Sequence, residues 1–387
     1  MAATPASFTF VHSNRRVVCG TDSLDRLSDV AREHGARRPV AVLDAFFLGG
    51  PVEERLRSLL GEALPCFGVP AHEPDLDSLE ACRGWLAAHD PDLIVALGGG
   101  SAMDTAKVAR MLLSNPGDPS AIAGPVGVRM APHPSLLVCA PSTAGTGSEV
   151  SESAIIAGEG DYKMIFRSQE MTAAVAVLDP RLSVSAPAAV TAASGYDAVT
   201  HAVEAFTSKA ANPMTDPYAL SAMRLLAEHL PVAFAVPGDL EARQGCLIGS
   251  LQAAVAFNSA NLGLAHAFSG AMGALYHVPH GLANALALPW TMAFNQPALG
   301  AKGEVVAEIF GGRTAAEGLA RLRAKVGLDL SIDPHLPDAA ARSRVVAGAG
   351  KSGQLRFNPR TPTPEDLAAL LEAMRRPTGD RAPVWPA

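Results

Sequence analysis

The chain has 387 residues, which exceeds the size of one ordinary hydrophobic core, so two domains are expected. Hydrophobic residues make up 48% and charged residues 18% of the sequence, a composition typical of a globular protein. The net charge is −7 and no run is rich in lysine or arginine, which argues against a nucleic-acid partner and leaves a small molecule as the expected substrate.

The five cysteines are scattered and form no Cys-x-x-Cys motif, which argues against a disulfide framework and against a cysteine zinc site. The segment from Met1 to Arg16 has no apolar core of the kind found in signal peptides. No uncharged apolar run reaches the roughly 20 residues that a membrane span needs. We therefore expect a cytoplasmic protein with reduced thiols and no membrane partner.

Strand and helix patterns alternate through the first half of the chain. The candidate strands lie at 7–20, 39–44, 63–69, 92–98 and 136–141 and from Val175, and helical patterns begin near Asp22, Pro51 and Asp77. This alternation predicts an α/β, Rossmann-like domain, in which a parallel sheet carries helices on both faces.

The strand at 93–97 runs directly into a glycine-rich segment that extends from Gly98 to Lys107. Its glycines would let the backbone approach a ligand closely, and Ser101 with Asp104 is predicted to form a pair like a capping box. A helix that opens from a glycine turn offers its N-terminus to an anion such as a pyrophosphate. The segment favours phosphate binding, and a tight turn without a ligand is the alternative.

A second loop of small and hydroxyl residues follows the strand at 136–141 and includes Thr143 and Thr146. Its hydroxyls are predicted to face the same phosphates, although a loop that only caps a helix is the alternative. Two such loops after two strands favour a dinucleotide site. Asp44 ends an early strand, where a carboxylate can bind an adenosine ribose and favour NAD over NADP. A solvated loop acid is the other interpretation of Asp44.

From Pro187 onward the pattern is helical. The predicted helices are 187–209, 213–235, 239–257, 262–276, 281–295, 301–309, 314–326, 338–349 and 364–375. The change near residue 185 predicts an α/β dinucleotide-binding domain at 1–185 and an all-helical metal-binding domain at 186–387.

Asp197 and His201 stand four residues apart in a predicted helix, so both side chains lie on one face. Taken alone, this pair favours a simple hydrogen bond over a metal site. His266 and His280 add two imidazoles in the same helical half, and Pro279 would place His280 in the first turn of a helix. Three imidazoles and a carboxylate suit Zn²⁺ or Fe²⁺, although the spacing alone does not assemble them.

At these residues the sequence resembles the iron-containing (group III) alcohol dehydrogenase family, which has a dehydroquinate-synthase-like fold. The motifs that carry the resemblance span nearly the whole chain and lie at 98–107, 141–151, 195–220, 257–268, 276–289 and 358–360. The resemblance implies a metal-dependent NAD(H) alcohol dehydrogenase or aldehyde reductase that acts on a small alcohol or aldehyde. It also implies a homodimer or larger homo-oligomer, in which an N-terminal edge strand would pair across subunits.

The resemblance also implies individual roles. The metal, Fe²⁺ or Zn²⁺ in its place, would be held in the cleft between the domains by Asp197, His201, His266 and His280. The cofactor NAD(H) would be bound by Asp44, Gly99, Gly100, Ser101, Asp104, Thr143, Thr146 and Lys163. Asp104 would approach the nicotinamide side, and Lys163 would bond a cofactor ribose.

The sequence departs from the family pattern at one position. Members of the family commonly have a second histidine four residues after the one at 266, and this chain has Gly270 there. We hypothesise that His277 partly replaces the missing imidazole as a catalytic proton relay; a pocket merely enlarged at Gly270 is the alternative. Arg167 is either a contact for an anionic aldehyde or, as we favour, a surface arginine.

Three other functions were weighed. A reductase of an anionic aldehyde or keto acid, of phosphonate or maleylacetate type, would use the same fold, and the maleylacetate type often lacks the metal. The complete metal-ligand set weighs against a reductase of the maleylacetate type. The sequence motifs weigh against a dehydroquinate-synthase-like lyase. A nucleotide-binding protein without catalysis is disfavoured by the intact ligands and both glycine loops.

Overall fold

The computed structural model describes residues 10, 16–70, 73–124, 130–158, 163–328, 330–377, 383 and 385. Its strands are β1 (Arg16–Cys19), β2 (Pro39–Asp44), β3 (Cys66–Val69), β4 (Leu93–Gly98), β5 (Leu136–Pro141), β6 (Ser153–Ala157), β7 (Lys163–Arg167) and β8 (Val175–Leu178). Six of them form one sheet in the order β1-β8-β5-β4-β2-β3, and every neighbouring pair in it is parallel. The predicted parallel sheet is confirmed, and most of the strand predicted at 7–20 lies outside the described residues.

The central strand β4 shows why this sheet is buried on both faces. Its sequence, Leu-Ile-Val-Ala-Leu-Gly, is apolar at every position before the glycine, and the whole strand is buried. Successive side chains point to opposite faces of a strand. Ile94 and Ala96 accordingly belong to one hydrophobic core, whereas Leu93, Val95 and Leu97 belong to another. Burial of both faces requires a covering layer on each side, as predicted.

Strands β6 and β7 form an antiparallel pair that the sequence prediction missed. Both strands alternate, since Ala154, Ile156, Met164 and Phe166 are buried while the neighbouring isoleucines are exposed. That alternation is the signal that could have revealed the pair. The two strands position the chain that follows the second small-residue loop.

In the first half of the chain the helices are α1 (Leu27–Glu33), α2 (Pro51–Leu60), α3 (Leu76–His89) and α4 (Gly100–Ser114). They continue as α5 (Ala188–Thr207), α6 (Asp216–Ala235), α7 (Leu240–Ala260), α8 (Leu264–Tyr276), α9 (His280–Leu299), α10 (Ala301–Ile309), α11 (Ala315–Lys325), α12 (Ala339–Gly350) and α13 (Pro364–Ala373). Each helix predicted after Pro187 is present. None of the described helices combines the length and the apolar character needed to cross a membrane.

The chain divides into two compact units. One comprises Ser13–Gly195 with Val232–Leu251, and it contains the parallel sheet and the β6–β7 pair. The other comprises Met1–His12, Tyr196–Pro231 and Gln252–Ala387, and it contains the helices from α8 to α13. The predicted domain boundary at residue 185 stays a prediction.

Candidate active site

Four potential metal ligands meet in the helical unit. Asp197 and His201 lie on α5, His266 lies in the first turn of α8, and His280 is the first residue of α9. One ligand atom of each residue lies within 4.8 Å of those of the other three. Pro279 occupies the N-cap position of α9, and His280 lies in the first turn of this helix, as predicted. The fold thus brings together residues that lie as much as 83 positions apart, which no spacing rule provides.

The distances within this cluster fit one small cation. Oδ1 of Asp197 lies 3.9 Å from Nε2 of His201, 3.7 Å from Nε2 of His266 and 3.6 Å from Nε2 of His280. Ligands about 2.1 Å from a tetrahedral metal stand roughly 3.4 Å apart, so only small movements would complete such a shell. Three imidazole nitrogens and one carboxylate oxygen form a donor set that suits Fe²⁺ or Zn²⁺.

The electrostatics of the cluster also favour a cation. Burial alone would raise the pKa of the Asp197 carboxyl, but His201, His280 and His266 outweigh burial and hold this pKa well below its usual range. Burial alone would lower the pKa of His266, but its bonds to Asp197 and Glu204 raise that pKa to about 9. Both shifts show that positive charge is stabilised at this point.

Glu204 fixes the orientation of the His266 ring. Its Oε2 lies 2.7 Å from Nδ1 of His266 and accepts the backbone N–H of Gly263 at 2.9 Å, while its Oε1 accepts that of Ala265 at 2.7 Å. A carboxylate only accepts hydrogen bonds, so Nδ1 carries a proton and Nε2 is the nitrogen through which His266 would bind a metal. Sequence reasoning missed Glu204, although its position seven residues after Asp197 places it on the same helix face.

Asn358 supports the same helix start from the other end of the chain. Its Oδ1 accepts the backbone N–H of Leu264 at 3.2 Å and the amide of Asn295 at 3.1 Å. A Cβ at Gly263 would lie 2.9 Å from Oδ1 of Asn358 and 3.0 Å from Oε1 of Glu204, so any larger residue there would displace both. These contacts give a structural reason for the motif at 358–360.

The predicted phosphate loops meet at the end of the parallel sheet. Gly98 has φ 149°, and a Cβ there would lie 2.8 Å from Cβ of Asp44. A Cβ at Gly100 would lie 2.7 Å from Cγ2 of Thr146, and one at Gly99 would lie 3.6 Å from Oγ1 of Thr143. The fold therefore brings both loops and the strand-ending Asp44 together.

The capping box predicted for Ser101 and Asp104 is wrong. The N-cap of α4 is Gly99, which has no side chain to make a cap hydrogen bond, and Ser101 lies inside the first turn. Asp104 instead accepts the hydroxyl of Ser148 at 2.5 Å and the backbone N–H of Ile155 at 2.9 Å. Because no side chain caps the helix, its first N–H groups remain available to an anion.

Lys107 anchors the second loop together with Asp104. Its buried ammonium donates to the carbonyl oxygens of Ser148 at 3.0 Å, Ser151 at 2.8 Å and Ser153 at 2.6 Å. Burial lowers the pKa of Lys107, although the nearby Asp104 charge opposes this effect. One turn of α4 therefore fixes the path of the chain between the second loop and β6, a role that the sequence did not reveal.

The two basic residues of β7 form ion pairs with acidic residues. Lys163 pairs with Glu73, and Arg167 pairs with Glu152. The cofactor contact predicted for Lys163 stays a prediction. The charge of Arg167 is balanced by Glu152, whose side chain is 8% exposed.

Two family models together match most of the chain. The model for iron-containing alcohol dehydrogenases matches residues 14–180, and that for the C-terminal part of the Fe-containing alcohol dehydrogenase family matches residues 191–375. The chain belongs to the iron-containing alcohol dehydrogenase family. The chain is accordingly an oxidoreductase, an alcohol dehydrogenase or aldehyde reductase.

Individual relatives match this alcohol dehydrogenase along nearly its whole length. The probable alcohol dehydrogenase EutG of Escherichia coli K12 is 33% identical over 369 residues, which cover 92% of each chain. The NAD-dependent methanol dehydrogenase of Bacillus methanolicus is 32% identical over 370 residues, which cover 92% of this chain and 97% of that relative. A crystal structure of 1,3-propanediol oxidoreductase matches with a TM-score of 0.89 at 30% identity, covering 95% of this chain and all of the other. The predicted family and fold are confirmed.

The departure from the family pattern is also visible in the structure of this alcohol dehydrogenase. Gly270 lies one helical turn after His266 on α8, and a Cβ at Gly270 would meet nothing within 4 Å. His277 is exposed at the end of α8, where it adopts a left-handed backbone with φ 53°. Space is therefore available at Gly270, and the catalytic role of His277 stays a prediction.

Proposed function

We propose that this chain is an NAD(H)-dependent alcohol dehydrogenase or aldehyde reductase that uses Fe²⁺, or Zn²⁺ in its place. The observation that carries the proposal is the set of Asp197, His201, His266 and His280, the first three of them buried, whose spacing and charge fit one divalent cation. The relative from Bacillus methanolicus is an NAD-dependent methanol dehydrogenase, which supports NAD as the cofactor of this chain. A small alcohol or aldehyde is the substrate.

A cation held by these four residues would supply Lewis acidity at the substrate oxygen, and a bound nicotinamide would supply or accept the hydride. The protein residues fix the geometry. Asp197 provides the negative charge of the ligand set, and Glu204 holds a proton on Nδ1 of His266, so that Nε2 is the nitrogen that would bind the cation. The side chain of His280 is 31% exposed, whereas those of the other three ligands are at most 6% exposed. We infer that the substrate enters on the His280 side.

In the cofactor site, Gly99, Gly100 and Ser101 would offer the backbone N–H groups of the α4 start to the pyrophosphate. Thr143 and Thr146 would add hydroxyl groups from the facing loop, since both lie against these glycines. Asp44 would bind the adenosine ribose and repel a 2′-phosphate, which favours NAD over NADP.

Lys163 and Asp104 have roles that rest on the family resemblance, and the role of His277 rests on the departure from the family pattern at Gly270. Lys163 would bond a cofactor ribose. Both oxygens of Asp104 already accept hydrogen bonds, which favours a positioning role over proton transfer. His277 would relay protons. A proton-transfer step of this kind raises the rate about 10²-fold or more, so a His277→Ala variant whose kcat/KM is unchanged at every pH tested would exclude this role.

One observation bears on the anionic-substrate alternative. Arg167, the proposed contact for an acidic aldehyde, is neutralised by Glu152. A neutral substrate is therefore favoured. We further propose a cytoplasmic enzyme, because all five cysteines are free thiols. The sheet ends at the parallel edge strand β1, and such an edge can pair with a second chain, which supports a homodimer or a larger homo-oligomer.

The test combines an NADH-oxidation screen with metal analysis. Neutral and acidic aldehydes are compared on enzyme loaded with Fe²⁺ or Zn²⁺, and Asp197→Ala and His201→Ala serve as variants. We expect both variants to lose bound metal and turnover together while NADH affinity stays close to wild type. Full turnover in a variant that contains no metal would overturn the proposed site.

A further inference from the structure

Asn284 is a fifth polar residue at the proposed metal site. It lies on α9 four residues after His280, so both side chains project from one helix face. Its side chain is completely buried, in contrast to the partly exposed His280. A fully buried amide is expected to have a defined hydrogen-bonding role.

The amide nitrogen of Asn284 contacts three of the four proposed ligands. Nδ2 donates to Oδ1 of Asp197 at 2.6 Å, and it lies 3.2 Å from Nε2 of His266 and 3.3 Å from Nε2 of His280. These three ligands belong to α5, α8 and α9. One amide group therefore connects the three helices at the atoms that would bind the cation.

The spacing places Asn284 beside the ligand atoms. Atoms that share one metal at about 2.1 Å stand roughly 3.0–3.4 Å apart, depending on the coordination geometry. Nδ2 of Asn284 has this spacing from both imidazole nitrogens, so it lies as close to them as a neighbouring ligand atom would, although an amide NH₂ donates and does not itself bind a metal. The other end of the amide, Oδ1, is buried without a hydrogen-bond partner among the described residues. The described contacts that hold the Asn284 amide in place are therefore those between Nδ2 and the proposed ligands.

We propose that Asn284 is a positioning residue of the metal centre. Its amide holds the carboxylate of Asp197 beside the imidazoles of His266 and His280, so that the three ligand atoms stay close enough to share one cation. This inference rests on the proposed metal site and adds a determinant of its affinity and geometry. Partners of this kind typically change metal affinity by about 10–100-fold when they are mutated.

The test uses Co²⁺ as the probe, because its visible absorption reports the coordination geometry independently of turnover. Asn284→Leu removes the polar amide at similar size, and Asn284→Asp keeps the shape while replacing the donor by an acceptor. Thr291→Val is the matched control, since Thr291 is equally buried on α9 but bonds only to the backbone carbonyl of Leu288. Unfolding curves establish that each variant is folded.

We expect Asn284→Leu to weaken Co²⁺ binding about 10–100-fold and to shift the absorption bands, with NADH affinity unchanged. Asn284→Asp should alter both the affinity and the spectrum, and Thr291→Val neither. This inference, but not the proposed metal site, would be overturned if the Asn284 variants kept the wild-type Co²⁺ affinity and spectrum. The same holds if Thr291→Val lost as much Co²⁺ affinity as they do. Failure of the wild-type protein to bind Co²⁺, Fe²⁺ or Zn²⁺ would instead overturn the proposed function.

Discussion

The hydrogen bond between Glu204 and His266 allows a sharp test with one substitution. In Glu204→Gln the size of the side chain is kept, but one acceptor oxygen becomes an NH₂ group that can only donate. The wild-type carboxylate serves three donors, namely Nδ1 of His266 and the backbone N–H groups of Gly263 and Ala265. A glutamine cannot serve all three, because its nitrogen must face at least one of them.

The magnitude follows from these contacts. If the new NH₂ faces His266, the ring must move its proton to Nε2 and thereby lose the lone pair that would bind the metal. If it faces the backbone N–H of Ala265 instead, two donors oppose each other in a buried place. Either outcome loses at least one hydrogen bond to a charged group, worth about 1.5–3 kcal/mol. We therefore expect metal affinity to fall about 10–100-fold and the free energy of unfolding to decrease by a similar energy.

Competition with a chromophoric chelator measures the Zn²⁺ affinity, and chemical denaturation measures the stability. Glu317→Gln is the control, since Glu317 is also buried in the helical unit and is bonded to Arg313 and Arg321 rather than to a proposed ligand. This control should lose stability but keep its metal affinity. A Glu204→Gln protein that binds Zn²⁺ as tightly as wild type would refute the reasoning.

Two further predictions concern the α/β unit. Lys107→Met removes the donor to three loop carbonyls. NADH affinity, measured by fluorescence titration, should therefore fall about tenfold or more while metal affinity is unchanged. An NADH affinity equal to that of the wild type would show that the loop does not depend on this lysine. Burial raises the pKa of the Glu149 carboxyl from 4.5 to about 7, so folding favours its neutral form. The stability associated with this group is therefore full below about pH 4.5 and declines as the pH rises to about 7, by about 3 kcal/mol in total. Glu149→Gln should remove this decline. Urea unfolding should therefore show that the variant is more stable than the wild type at mildly alkaline pH but not at acidic pH.

Local sequence patterns were sufficient for the parallel sheet and for the helices of the second half. The apolar run of β4 and the explicit helix breakers define elements without reference to the rest of the chain. The ligand set required the family resemblance, because Asp197 and His280 meet only through packing of α5, α8 and α9.

The residues that the sequence missed share one property. Glu204, Lys107 and Asn284 each act on at least one partner that lies between 41 and 87 positions away. A buried glutamate or lysine in a helical pattern looks like an ordinary exposed residue until its partner is known. The mistaken capping box has a related cause, since the usual cap rule does not consider that Asp104 has better partners in a distant loop.

The contact between Asn358 and Leu264 has a consequence for synthesis of the protein. All four metal-ligand candidates have been translated once residue 280 is reached. The start of α8, the helix that carries His266, is completed only by the side chain of Asn358, 78 positions after residue 280. A nascent chain would therefore possess every ligand before it possesses a rigid site. Stable metal capture would then be a late event in biogenesis, reached only when the final part of the chain has folded onto α8.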